Sequence, residues 1–374
     1  MIENKHYRPM QAAIVREKAG PFVIEPARIR DPEDDEVLVK IVATGMCHTD
    51  MIARDQLYPV PQPVILGHEG SGYVVAVGPA VSEFQVGDPV VLSFGYCGHC
   101  DHCQSGHDAY CFEFMVRNFS GADSQGEVAV CDSKGKPIHD HFFAQSSFAT
   151  YALSRENNAV KISNEAPLEL MGPLGCGIQT GAGAVLNALK VGAGDSFACF
   201  GAGAVGLSAV LAAKAAGASI IIAVDVVPSR LELAKELGAT HVINSREEDP
   251  VQAIKQITDD KLGYALESSG IPAVLKQSIG ALGSLGQLGV VGAPPFGSKV
   301  DIDINDLLTN GKTIFGIVEG NSVPKLFIPK LVELYMKGQF AFDKLVKFYN
   351  FDQINEAAAD SEKGVTLKPI IRIA

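Results

Sequence analysis

The chain has 374 residues, 47% hydrophobic and 20% charged, which suffices for two domains with cores of their own. A formal net charge of -12 and a pI near 5.2 give a surface that repels nucleic acid and anionic membranes, so neither is expected as a partner.

Residues 1–10 lack the apolar core of a secretory signal. The first third reads as β-rich: 37–42 and 72–78 are strand candidates, and 87–92 is a Gly/Pro turn feeding a third. Cys97, Cys100, Cys103 and Cys111 follow in one short loop, half of the chain's 8 cysteines. Four thiolates at that spacing can converge on one tetrahedral zinc. A disulfide pair is the rival reading, but disulfide frameworks belong to short secreted chains. A polar loop region is expected over 118–145.

The texture changes near Pro173. Apolar strands at 196–200, 220–224, 264–267 and 287–291 alternate with helical stretches at 205–216 and 230–237, which implies a parallel sheet covered on both faces. The longest apolar run, 197–213, is broken by Gly201, Gly203 and Gly206 and is no membrane span. With Cys131 and Cys199 lacking evident disulfide partners, the cytoplasm is the expected compartment. The β/α series ends after about 315, and the tail 327–374 is expected to pack back on the first domain.

Gly201-Ala202-Gly203-Ala204-Val205-Gly206 follows a strand and opens a helix. The first glycine permits the tight turn, the second lets backbone approach a pyrophosphate, and the third allows close helix–strand packing. Asp225 ends the next strand, where a carboxylate accepts hydrogen bonds from the adenosine ribose and repels a 2′-phosphate, which argues for NAD. Arg230 either flanks the adenosine or is a solvated residue at a helix start. The bland alternative is a glycine-rich turn in a helical hairpin, with Asp225 a solvated acid.

Three further segments hold potential ligands: 45–50 with Cys47, 67–70 with His68 and Glu69, and 172–177 with Cys176. Two thiolates and one imidazole leave a fourth tetrahedral position open for water or substrate. Sequence spacing alone cannot join segments so far apart, and two buried cysteines with a core histidine is an equal reading of the residues.

These motifs together closely resemble those of the zinc-dependent medium-chain alcohol dehydrogenases, in order and over nearly the whole chain. Within that family, 143–151, 173–181 and 317–320 look most like the bacterial aryl (benzyl) alcohol dehydrogenases. The resemblance implies an α/β fold in which a β-rich GroES-like catalytic domain (1–175 and 316–374) accompanies a Rossmann NAD-binding domain (176–315). It implies two zinc ions per chain: a catalytic one on Cys47, His68 and Cys176, with Glu69 as an alternate ligand, and a structural one on the four clustered cysteines. Asp50 matches the acid that orients His68, and Thr49 the hydroxyl that hydrogen-bonds the substrate alcohol. His48 and Lys368 match basic groups beside the cofactor pyrophosphate, while Gly201, Gly203, Ala204, Val205, Gly206, Asp225 and Arg230 form the cofactor site. Many members carry a histidine at the position of Ile52 as the outer end of a proton relay. Its absence sends the proton through cofactor ribose, His48 or water.

The implied activity is reversible oxidation of benzyl-type or allylic primary alcohols to aldehydes in a homodimer or homotetramer. Geraniol-type terpenoid alcohols and a glutathione-dependent formaldehyde dehydrogenase are the nearest alternatives. A zinc-free reductase of the same fold would lack both cysteine sets, and a non-catalytic zinc-stabilised binding protein would not need Cys47, His68 and Cys176.

Overall fold

In the computed structural model, which describes residues 6–373, the chain divides into two units. The first comprises residues up to Cys176 together with Val323–Met336 and the C-terminal segment from Asp343. Its larger sheet runs Ala159–Lys161, Pro89–Leu92, Glu69–Val77, Glu36–Gly45, Lys368–Arg372 and Val346–Asn350, with Tyr151–Arg155 also paired to Glu36–Gly45. A second sheet orders Val64–Ile65, Tyr7–Val15, Val23–Arg30, Val130–Asp132 and Pro137–Ile138. Side chains of these strands, with Phe148 from a loop, bury a shared apolar core that includes Ile14, Leu38, Val39, Val74 and Leu92.

Two pairings position the chemistry. Glu36–Gly45 lies antiparallel to Glu69–Val77 with Gly45 opposite Glu69, so the residues after one strand meet those before the other. Lys368–Arg372 pairs with the same end of this central strand, Ile370 opposite Gly45, and brings the C-terminal segment to the same place. The tail therefore returns to the first unit, apart from Lys337–Phe342, which belongs to the second.

The second unit, Gly177–Ser322 with Lys337–Phe342, is built on a six-stranded sheet in the order His241–Asn244, Ile220–Asp225, Ser196–Phe200, Tyr264–Glu267, Gln287–Val290, Thr313–Gly316. Every pairing is parallel. The central strands are apolar on both faces because helices cover both, and Ala198, Phe200, Ile222, Val224, Ala265 and Leu288 form the core with Ile254 and Ile279. Helices Pro228–Leu237, Pro250–Thr258 and Pro272–Ala281 each begin with proline, whose fixed φ and missing N–H suit the first turn.

Two expectations are revised. The boundary placed after 315 falls after Ser322, because Gln179 and Thr180 bond the Glu319 carboxylate at 3.2 and 3.5 Å and Asn187 bonds the Gly320 carbonyl at 3.3 Å; at the other end Cys176 stays with the first unit. The stretch 118–145 is also not a plain polar loop. It contains Val130–Asp132 and Pro137–Ile138 and ends in buried Phe142, Phe143, Ala144 and Gln145.

The run 197–213 resolves into a strand, a turn and part of a helix, and no helix among the described residues is long and apolar enough to cross a membrane.

Candidate metal centres and dinucleotide turn

The ligand atoms of Cys97, Cys100, Cys103 and Cys111 all lie within 4.8 Å of one another, and none of the four is in a disulfide. Sγ–Sγ separations of 3.5 Å (Cys100–Cys103) and 3.9 Å (Cys97–Cys103) bracket the roughly 3.8 Å edge of a tetrahedron with 2.3 Å Zn–S bonds. Backbone N–H groups of Cys100, Cys97 and Glu113 donate to sulfurs of Cys97, Cys111 and Cys111 at 3.3, 3.2 and 3.4 Å, the arrangement that stabilises thiolates. Backbone donors hold the Cys100 thiol down at about 6, while burial pushes those of Cys103 and Cys111 up. A set of four sulfurs this close together fits a closed metal site.

Cys47, His68, Glu69 and Cys176 form a second cluster, again with ligand atoms within 4.8 Å of one another. Asp50 organises one side of it. Its Oδ2 accepts from the Cys47 N–H at 2.9 Å, and its Oδ1 from the Gly67 N–H at 3.0 Å, while His68 Nδ1 lies 2.9 Å from the same Oδ1. His68 Nε2 is buried and has no hydrogen-bond partner, so the imidazole presents a lone pair toward the thiols. An orphaned buried nitrogen beside two thiols is what a metal ligand set requires, and the residues fit zinc.

The groups of the cluster also perturb one another's titration. The Cys176 thiol, as hydrogen-bond partner, holds the Cys47 thiol well below its ordinary value; burial opposes this and Lys368 adds to it. Burial works against a charged His68, but Asp50 and Cys47 raise the imidazole well above its usual range. Thr49 Oγ1 lies 3.7 Å from Cys47 Sγ, which places a hydroxyl at the rim, and exposed His48 begins the helix His48–Arg54. Ile52 is buried on that helix and offers no proton path.

Lys368, expected beside a pyrophosphate, has its ammonium buried, donating to both Glu69 oxygens at 2.8 and 3.0 Å. The physical reason is the strand pairing that carries Lys368 to the Gly45–Glu69 end of the sheet, where a buried carboxylate needs a cation. Burial raises the Glu69 carboxyl, and Lys368 pulls it back.

In the second unit the helix Ala204–Ala216 starts after Gly203, directly behind the strand Ser196–Phe200. A Cβ on Gly206 would press into the Gly201 carbonyl and the Cys199 sulfur, whereas one on Gly203 would meet nothing within 4 Å. Gly206 thus serves packing, and Gly203 leaves an open face beside the helix N-terminus. Asp225 is nearly buried. Its Oδ2 accepts from the Ala202 N–H at 2.6 Å, and its Oδ1 from those of Val226 and Val227 at 2.7 and 2.9 Å. Arg230 Nη1 stands 3.9 Å from Asp225 Oδ2.

Residues 33–164 match the alcohol dehydrogenase GroES-like domain, and residues 204–335 the zinc-binding dehydrogenase domain. A geraniol dehydrogenase from Castellaniella defragrans is 45% identical over 372 residues, 99% of this chain and 100% of that one. This chain belongs to the zinc-dependent medium-chain alcohol dehydrogenase family. Two solved members share 64% of their residues with it: a benzyl alcohol dehydrogenase from Acinetobacter calcoaceticus (TM-score 0.96, 98% of this chain, 100% of that one) and an alcohol dehydrogenase zinc-binding domain protein from Burkholderia ambifaria (TM-score 0.98, 99% and 100%). The two-domain fold, GroES-like and Rossmann-like, is that of the family, and the protein is an alcohol dehydrogenase.

One part of this dehydrogenase's cluster escaped the sequence. Phe143 stacks on the His68 ring (centroids 4.5 Å, 27°) and Phe142 meets it edge-on at 5.4 Å. Phe119 lies 5.2 Å from Phe143, and Tyr58 5.9 Å from Phe119. Adjacent phenylalanines before a Gln-Ser-Ser run were the available signal, but nothing local in them points to His68.

Proposed function

We propose that the protein oxidises aromatic, benzyl-type primary alcohols to aldehydes, reversibly, with NAD as hydride acceptor. Zinc would be held by Cys47, His68 and Cys176, and a second zinc by Cys97, Cys100, Cys103 and Cys111. The observation that carries this reading is the orphaned Nε2 of His68 beside two thiols, backed by an aromatic array that starts on the imidazole itself. The 64% identity to a benzyl alcohol dehydrogenase supports the same substrate class.

Zinc in such a site supplies a Lewis acid that acidifies the substrate hydroxyl and polarises the aldehyde carbonyl. The nicotinamide supplies the hydride chemistry. The chain's own residues position and neutralise. Asp50 fixes the His68 tautomer through Nδ1 and so aims Nε2 at the metal position. Thr49 takes the alcohol proton through its hydroxyl, and exposed His48 on the same turn carries it outward in the absence of a histidine at Ile52. Lys368 holds Glu69 as a neutralised pair, and Glu69 remains close enough to the thiols to serve as an alternate ligand. In the second unit Gly203 and the N–H groups from Ala204 onward receive the pyrophosphate, while Asp225, flanked by Arg230, disfavours a 2′-phosphate.

Geraniol-type allylic alcohols are the second reading, favoured by the 45% identity to a geraniol dehydrogenase over the whole chain. Initial rates with NAD and NADP against benzyl, cinnamyl, geranyl and short aliphatic alcohols decide between them. Formaldehyde with and without glutathione completes the panel. Benzyl alcohol with NAD should give the highest kcat/KM. A preference for geraniol moves the protein to the second reading, and glutathione-dependent turnover of formaldehyde or a preference for NADP overturns the proposal. We also propose a cytoplasmic homodimer or homotetramer, which sedimentation of the purified protein tests.

A further inference from the structure

We infer that Gln145 and Ser93 are positioning residues for the catalytic metal: together they lock the His68 segment to the Cys176 segment. The inference rests on the proposed ligand set of Cys47, His68 and Cys176. Asp50 joins only the first two of these segments. On the other side of His68, the Gln145 amide is wholly buried and used in both directions. Its Oε1 accepts from the Gly70 N–H at 3.0 Å, and its Nε2 donates to the His68 carbonyl at 3.0 Å and to the Ser93 carbonyl at 3.2 Å. Ser93, also fully buried, donates its own hydroxyl to the Gly175 carbonyl at 2.7 Å, one residue before Cys176. A continuous polar chain thus runs from the backbone around His68, through Gln145 and Ser93, to Gly175, next to the residue carrying the second thiol.

The backbone that carries Gln145 is bent to make this possible. His141, Phe143, Ala144 and Ser146 all adopt left-handed φ between 52° and 61° without being glycine, a conformation that persists only where the surroundings over-determine it. The Ser146 hydroxyl donates to the Ile65 carbonyl at 2.6 Å and accepts from the Phe142 N–H at 2.9 Å, and the Thr44 and Ser147 hydroxyls lie 2.8 Å apart. The same bend seats Phe143 flat on the His68 ring. Three ligand atoms from distant segments must hold their separation to a few tenths of an ångström for a metal to stay bound, and the Gln145–Ser93 chain spans the one gap that Asp50 does not.

The test compares metal retention at the two sites of each chain, with the four-cysteine site as internal standard. The zinc- or cobalt-loaded full-length protein, Gln145→Met, Ser93→Ala and Ser93→Thr are dialysed against graded chelator. Metal is then counted, melting temperature read, and the cobalt ligand-field spectrum recorded. Gln145→Met keeps side-chain length and removes the polar bridge; it should weaken retention of one metal by about 10- to 100-fold and alter its spectrum, with the second metal unaffected. Ser93→Ala should act in the same direction, and Ser93→Thr, which keeps the hydroxyl, should restore retention. If Gln145→Met does not fold, Ser93→Ala carries the same expectation alone. Equal retention of both metals and an unchanged spectrum in Ser93→Ala overturn the inference. Only one metal in the unmutated protein overturns the proposed ligand set instead.

Discussion

Cys176 sits on a turn whose backbone (φ -146, ψ -87) belongs to neither helix nor strand, and its thiol joins Cys47 and His68 in one buried cluster. Replacing its sulfur with a poorly ligating hydroxyl should cost the metal and little else. Cys176→Ser is expected to lower kcat/KM by more than about 100-fold while leaving the melting temperature and NAD binding close to those of the unmutated protein; metal counting, calorimetry and NADH fluorescence check this. The glycine turn allows a sharper distinction between neighbours. An added methyl on Gly203 meets open space, so Gly203→Ala should leave stability within about 0.5 kcal/mol yet raise the KM for NAD. Gly206→Ala drives a methyl into the Gly201 carbonyl and should destabilise by about 1–3 kcal/mol in thermal or urea unfolding. Cys199 below it stays a thiol, because burial pushes it up to about 12.

The loop from Cys97 to Cys111 is an element with almost no regular structure: a short helix Asp101–Gln104, a turn at Asp108–Tyr110, and four sulfurs turned inward. A metal held there would do the work that a hydrophobic core does elsewhere, so its loss would be a folding event. Cys100→Ser is expected to release one metal and lower stability by at least about 2 kcal/mol, while the fraction that stays folded keeps its turnover. Loss of turnover in a stable, fully loaded protein would contradict the structural role. The spacing made this element legible in advance, since all its ligands sit in one loop. Strand positions were equally legible: Ile220–Asp225 and Tyr264–Glu267 lie where continuous apolar runs place them. The bend at 141–146 was not. Left-handed φ at His141, Phe143, Ala144 and Ser146 has no residue-type signature, because contacts with distant segments impose it.

Stability of the whole molecule has a pH-dependent component in the first unit, where buried His141 pairs with Asp140 at 2.5 Å and Asp140 accepts from the Ala129 N–H at 3.0 Å. Burial pushes the imidazole down, but Asp140, with Glu36 and Asp123, raises it above 6.5; Arg30, paired with Glu36, stands near Asp140. A raised imidazole stabilises fully below its unfolded value of about 6.5, and the contribution fades as pH climbs through the folded one. His141→Gln should therefore cost about 3 kcal/mol at pH 6 and less at pH 9, read from urea unfolding at both. A cost independent of pH would show that folding leaves the proton affinity of the His141 imidazole unchanged. At this scale the division between sequence and structure is clear. Sequence by itself determined what is local: a four-thiol loop, a glycine turn ahead of a helix, an acid ending the next strand, and the β-rich and alternating halves. Cys47, His68 and Cys176 entered through family resemblance, because no spacing rule joins ligands so far apart. Only the tertiary structure decided their company. Antiparallel pairing set Gly45 opposite Glu69 and Ile370 opposite Gly45, so Lys368 met a buried carboxylate. The reason is physical: a buried charge takes the partner that the sheet register brings to it, and register is a property of the assembled sheet rather than of any one strand.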